Sequence, residues 1–223
     1  MPTYEAVVFD MDGVLADSEP VYYAAMKAVL EPLGHAVTEA HQRDMMGHSI
    51  EDTWAYLQRT FSLEGPLDTL VQAYDQELVR MLALLSEPLP GVRELLGDLR
   101  EHGVPIAVAS SSLPSWIEAL LGGLGLREAF DALVSATMVE HPKPAPDIYL
   151  EAARRLATPP ERCIAIEDTP TGLASAKAAG MLTVQVRASS TAWEPLQEAD
   201  IVLRTLREFD LRLVRQAGQE NKP

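Results

Sequence analysis

The sequence predicts an α/β protein: a doubly wound, mainly parallel sheet with an α-helical subdomain inserted after its first strand. Three observations carry that expectation. Six short apolar runs stand out, most of them without the polar alternation of a half-exposed strand, as expected of strands covered on both faces. Stretches of helical periodicity separate most of them, and strands alternating with helices build a parallel sheet. One long gap breaks the alternation, between Asp17 and about Glu87, where no convincing strand occurs.

The apolar runs lie at 6–9, 105–109, 132–134, 163–166, 182–186 and 201–203. Val92, Leu95, Leu96 and Leu99 form a helical stripe ended by Gly103, and Ile148, Ala152 and Leu156 form another. Residues 171–179 make a small-residue helix stopped by Gly180, and Leu206, Phe209 and Leu213 read as a closing helix. In the gap, three amphipathic helices are expected. Tyr22, Met26, Val29, Leu30 and Leu33 mark the first, and Ile50, Trp54, Leu57 and Phe61 the second. The longest runs from Leu67 to Leu85, with apolar residues at offsets 0, 3, 4, 7, 11, 14, 15 and 18. The return segment Glu87-Pro-Leu-Pro-Gly91 reads as a stiff hinge, because two prolines restrict the backbone. The division expected is therefore 1–16 with 88–223 as one unit and 17–87 as the inserted helical one.

Composition bounds the function. The chain has 223 residues, enough for a sizeable core, and a formal net charge of −15. That charge argues against nucleic acid and against anionic membrane surfaces, which both need a basic footprint. No apolar run approaches the roughly 18 residues of a spanning helix. The opening MPTYEAVVFD has neither the basic start nor the long apolar stretch of a signal peptide. A lone cysteine, Cys163, forms no internal disulfide and suits a reducing cytoplasm. A monomer or weak dimer is expected.

The polar residues of interest stand just past strand ends, the edge at which open α/β sheets bind ligands. Asp10 and Asp12 follow the first strand, Ser110 and Ser111 the second, and Glu167 and Asp168 the fourth; Lys143 lies beyond the third in a proline-restricted loop. Two carboxylates two residues apart resist joint ionisation unless a cation neutralises them, and a hard cation takes oxygen ligands. A second acidic strand end strengthens the metal reading over that of a plain polar turn. Taken singly, Lys143 reads equally well as a surface lysine, and Ser110 as a helix N-cap. The five histidines share no metal-ligand spacing, and Cys163 reads as core.

In combination, Asp10-x-Asp12-Gly13, Ser110, Lys143-Pro144, Glu167-Asp168 with Gly172, and Ala178-Ala179-Gly180-Met181 resemble the haloacid dehalogenase superfamily over essentially the whole chain. Residues 17–87 look like its helical cap, on a Rossmann-like core. Asp17-Ser-Glu-Pro20 and the cap loop Met46-Gly47-His48 are similar to the subfamily of beta-phosphoglucomutase and sugar-phosphate phosphatases. The resemblance implies that Asp10 is a nucleophile forming an aspartyl-phosphate, and that Asp12 is the acid and then the base. It implies Mg²⁺ held by Asp10, the Asp12 carbonyl and Asp168, with Glu167 direct or one shell out. Ser110, Ser111 and Lys143 would bind the phosphoryl group, and Gly47, His48 and Tyr22 the remainder of a small phosphorylated metabolite. Asp12 favours phosphoryl transfer over dehalogenation. Tyr22 and Ile50 stand where the mutase branch carries histidine and arginine, which favours hydrolysis over a phosphomutase. A non-enzymatic aspartyl-phosphate switch is the reading from another class; such a receiver needs no seventy-residue lid.

Overall fold

The computed structural model describes residues 4–45 and 50–214, without the side chains of residues 39, 42, 43 and 51. Six strands form one sheet: β1 (Ala6–Phe9), β2 (Ile106–Ser110), β3 (Ala132–Ser135), β4 (Cys163–Glu167), β5 (Leu182–Val186) and β6 (Ile201–Leu203). All pairings are parallel, in the order β3-β2-β1-β4-β5-β6. The chain thus winds outward from β1 to one side, then crosses back to β4 and winds to the other.

The central strands β1, β2 and β4 are buried along their whole length, which explains why they read as apolar runs. Val7 and Phe9 share a core with α5 (Val92–Glu101) and α6 (Pro114–Gly123), whereas Ala6 and Val8 pack with α7 (Asp147–Arg155) and α8 (Pro170–Ala178). On α5 the stripe Val92, Leu95, Leu96 and Leu99 is buried, each residue contributing about 1.5–3 kcal/mol of burial.

Among the described residues four α-helices, not three, fill the gap after β1: α1 (Glu19–Leu30), α2 (Glu39–Met45), α3 (Ile50–Phe61) and α4 (Leu67–Leu82). The first ends earlier than its stripe implies. Pro32 lacks the amide that a continuing α-helix needs, so residues 31–33 tighten into a 3₁₀ turn and Leu33 is 53% exposed. Helix α1 packs on α4, and α4 on α6. Where the chain leaves and re-enters the sheet region, Leu89 N donates to Leu15 O (2.9 Å), so the two crossing segments are bonded to each other. Arg93 Nη2 donates to Ser86 O (3.1 Å) and Leu124 O (2.8 Å), tying the return segment to the end of α6.

The closing helix is absent. Residues 206–208 and 211–213 are 3₁₀ turns with Phe209 extended between them, and Asp210 Oδ1 accepts from the amide of Arg212 (3.0 Å), a local bond that competes with helix formation. Among the described residues no helix is long and apolar enough to cross a membrane.

Candidate active site

The sheet order brings the acidic strand ends together. Phe9 is in register with Ile166, and Asp10 N donates to Ile166 O (2.9 Å), so Asp10 lies beside Glu167 and Asp168. Oxygens of these three buried carboxylates lie within 4.8 Å of one another. Lys143 enters from the loop between β3 and α7, beside a cis peptide to Pro144. Its Nζ donates to Asp10 Oδ1 and Glu167 Oε1, both at 2.6 Å, and to Ala109 O at 3.0 Å.

The two members of the β4 pair differ in their surroundings. Glu167 is saturated. Lys143 and Tyr149 OH (2.8 Å) donate to Oε1, while the amides of Asp168 (3.0 Å) and Thr169 (3.2 Å) and the Thr169 hydroxyl (3.1 Å) donate to Oε2. Five donors meet roughly four lone-pair directions, so its hydrogen bonding is complete without a metal. Asp168 is the opposite case: Oδ1 is buried with no hydrogen-bond partner, and such an orphan is costly unless something fills its lone pairs. Gly13, at φ +78°, gives Asp168 its space; any Cβ there would run into Asp168 Oδ2. An unpartnered carboxylate oxygen facing a second buried carboxylate fits a hard divalent cation held by Asp10 and Asp168.

Electrostatics agree. Burial, opposed by Lys143 and reinforced by Glu167 and Asp12, pushes the Asp10 carboxyl up to about 8. Burial and the repulsion of Asp10, Glu167 and Asp12 push Asp168 up to about 9. For Glu167, burial is outweighed by Lys143, Tyr149 and the Thr169 amide, and its carboxyl stays below the ordinary range. Burial opposes the charge on Lys143, but Asp10 and Glu167 together hold its ammonium above the usual value.

Asp12 turns away from this cluster. Ser18 Oγ (2.5 Å) and Tyr22 OH (3.0 Å) donate to its Oδ1, and Ser112 Oγ (2.9 Å) donates to its Oδ2. Its carboxylate is therefore outside the candidate metal group; the ligand expected at this residue is its backbone carbonyl. Ser110 is buried and its Oγ accepts from Ser112 N (3.1 Å), while Ser111 is exposed. The N-cap of α6 is Leu113, so Ser110 does not serve as one. Gly47 and His48 lie outside the described residues.

Ser18, Ser112 and Tyr149 were not singled out from the sequence. Ser112 directly follows the two serines named from the sequence, and Tyr149 hides among the buried residues of α7. A cleft of about 520 Å³ lies nearby, between α4 and the start of α6, lined among others by Ile50, Asp68, Tyr74, Asp75 and Trp116. Trp116 Nε1 donates to Asp75 Oδ1 (2.6 Å) across it.

A doubly wound parallel sheet with buried acidic strand ends and a buried lysine defines an α/β protein with its polar site at the strand ends. The chain belongs to the haloacid dehalogenase-like hydrolases, whose family model matches residues 4–180. It is 40% identical over 188 residues to the fructose-1-phosphate phosphatase YqaB of Escherichia coli, covering 82% of this chain and 97% of that protein. It is 34% identical over 212 residues to hexitol phosphatase B of the same organism, covering 92% and 93%. The crystal structure of CbbY from Rhodobacter sphaeroides in complex with phosphate superposes with a TM-score of 0.77 at 29% identity, over 92% of this chain and 96% of that one.

Proposed function

We propose that this chain is a Mg²⁺-dependent phosphatase that hydrolyses a small sugar or polyol phosphate through an aspartyl-phosphate. Residues 1–16 and 88–223 form the catalytic unit in this reading, and 17–87 form a helical cap over it. The observation that carries it is the buried, unpartnered Asp168 oxygen beside Asp10, with Lys143 at 2.6 Å from the same Asp10 carboxylate. Phosphatases among its relatives support the substrate class.

The chemistry follows from the residues. Asp10 attacks phosphorus, the bond to the leaving oxygen breaks, and Asp12 gives that oxygen a proton. Water then attacks the aspartyl-phosphate as Asp12 takes the proton back, releasing inorganic phosphate and restoring Asp10. Lys143 turns its ammonium toward the phosphoryl oxygens, and the Ser110 hydroxyl, whose proton is not committed to Ser112, donates to another. Glu167 holds Lys143 in place from behind. Bound by Asp10 and Asp168, Mg²⁺ offsets the repulsion between the carboxylate and the phosphate dianion. Phosphate release from a panel of phosphorylated sugars and polyols, with Mg²⁺ and with EDTA, tests the proposal. Undiminished turnover in metal-free protein overturns it.

A further inference from the structure

Asp12 sits in a cage of hydroxyls drawn from separate parts of the chain. Ser18 and Tyr22 reach Oδ1, Ser112 reaches Oδ2, and Tyr22 OH lies 3.0 Å from Ser112 Oγ. The cage is braced from outside. Ser112 is fixed through its amide on Ser110 Oγ (3.1 Å) and its carbonyl on Ser135 Oγ (2.7 Å). The Tyr22 ring stands edge-on to Trp116, with centroids 5.7 Å apart. Ser18 gives up a local bond to join. It occupies the N-cap of α1, where a serine ordinarily takes a first-turn amide, yet its side chain makes no such bond. A local rule broken in this way is expected where a functional site makes the competing demand.

We infer that Tyr22 is a positioning residue, holding the Asp12 carboxylate in the orientation that proton transfer needs rather than binding the substrate. The inference rests on the acid and base role proposed above for Asp12. Geometry supports it. Asp12, Tyr22 and Ser112 form a closed loop of three contacts, and Ser18 adds a fourth hydroxyl on Oδ1, so both oxygens of the Asp12 carboxylate are held from fixed points. The Tyr22 hydroxyl donates to Asp12, so it has no proton left to donate to a ligand.

The test is steady-state phosphate release with Mg²⁺ from two probes, fructose 1-phosphate with a poor alkoxide leaving group and p-nitrophenyl phosphate with an activated one. General acid help contributes roughly 10²–10⁴-fold, and losing its alignment forfeits part of that. Tyr22→Phe keeps the ring against Trp116 and removes only the hydroxyl. It is expected to lower kcat for fructose 1-phosphate about 10–100-fold with KM within about twofold, and kcat for the aryl ester less than about threefold. In an Asp12→Ala background, followed with stoichiometric enzyme, Tyr22→Phe should cost nothing further, since two residues acting through one step are not additive. A rise in KM with kcat unchanged, an equal loss on both esters, or a further loss of about tenfold in the Asp12→Ala protein overturns the inference. Should Tyr22→Phe melt well below the wild type, Ser112→Ala decides: the same leaving-group-dependent loss supports the cage, and its absence overturns it. A wild-type protein silent toward both esters overturns the phosphatase reading, and this inference with it; an active one without the coupling overturns the inference alone.

Discussion

Replacing Gly172 by alanine places a methyl group on Glu167. Any Cβ at that position, in the first turn of α8, overlaps the Glu167 Cδ and both carboxylate oxygens. Helix propensity alone favours alanine by about 1 kcal/mol. A free side chain would step aside, but Glu167 is held by five donors, one of them the Lys143 ammonium at 2.6 Å. Displacing it takes from the buried lysine one of its two carboxylate partners, and breaking a buried pair costs about 3–5 kcal/mol. The net is a destabilisation of about 2–4 kcal/mol. For a chain of this size that lowers Tm by about 5–15 °C. Gly97, in the middle of α5, is the control: nothing lies within 4 Å of a Cβ there. Gly97→Ala should raise Tm by about 1–4 °C through propensity alone. Thermal melts of both variants in one buffer, followed by far-UV circular dichroism, read the two signs side by side. Gly172→Ala should also lose most of its phosphatase activity, since Lys143 loses its anchor. A Gly172→Ala protein that melts at or above the wild type refutes the reasoning, because Glu167 is then not locked beneath α8.

Three further outcomes are expected. Mg²⁺ uptake should release protons at pH 7, because Asp10 and Asp168, pushed up to about 8 and 9, must ionise to hold it. Both folded-state values lie above the unfolded ones, so the metal-free protein loses stability as pH rises from about 4 towards 9, and the Tm gained on adding Mg²⁺ should grow over that window; calorimetry showing no proton release at pH 7 contradicts this. Asp10→Asn should bring turnover below about a hundredth of wild type, since an amide is not a competent nucleophile, and more activity than that rules out the aspartyl-phosphate. Beta-glucose 1-phosphate with a bisphosphate primer should yield inorganic phosphate and little glucose 6-phosphate, because the cleft beside Ile50 carries Asp68 and Asp75 and, among its described lining residues, no cation for a second phosphate; Ile50→Arg should tighten bisphosphate binding more than monophosphate binding, and efficient isomerisation by the unaltered protein would restore the mutase reading.

The central strands were legible because they are covered on both faces, and continuous apolar runs such as AVVF and CIAI have no competing explanation; the edge strand β6 was legible as a short apolar run although Val202 is exposed. The short helix α2 was not, since EAHQRDM offers Met45 as its last residue and no stripe before it. The closing helix was over-read for the converse reason: Leu206, Phe209 and Leu213 have helical spacing, yet Asp210 takes a backbone amide and the chain turns instead. At the site, the charged residues were conspicuous because Asp10, Glu167 and Asp168 interrupt or end apolar strands. Of the hydroxyls that join them, Ser110 stood out by its place at a strand end and Tyr22 only through the family resemblance, and Ser18, Ser112 and Tyr149 not at all. A serine or tyrosine is unremarkable until the sheet order brings residues a hundred positions apart, such as Ser112 and Asp12, within 2.9 Å.

The Glu167-Asp168 pair shows how far residue type falls short of role. Both are carboxylates at one strand end, and from sequence either serves as a metal ligand. What separates them is reach. Glu167 ends β4, and its extra methylene lets one oxygen accept the amides of the next two residues while the other meets Lys143 and Tyr149. The following turn offers Asp168 neither the Thr169 amide, which goes to Glu167, nor the Gly172 amide, which goes to the Thr169 hydroxyl, and Gly13 clears the space in front of it. Its Oδ1 is left buried and bare. The saturated carboxylate is the ionised one, held below its ordinary range, and the bare one is pushed up to about 9. One residue thus keeps a lysine charged and fixed in a buried site, and its neighbour keeps lone pairs available for a cation. Exchanging the two side-chain lengths would leave the charge count unchanged and remove both conditions.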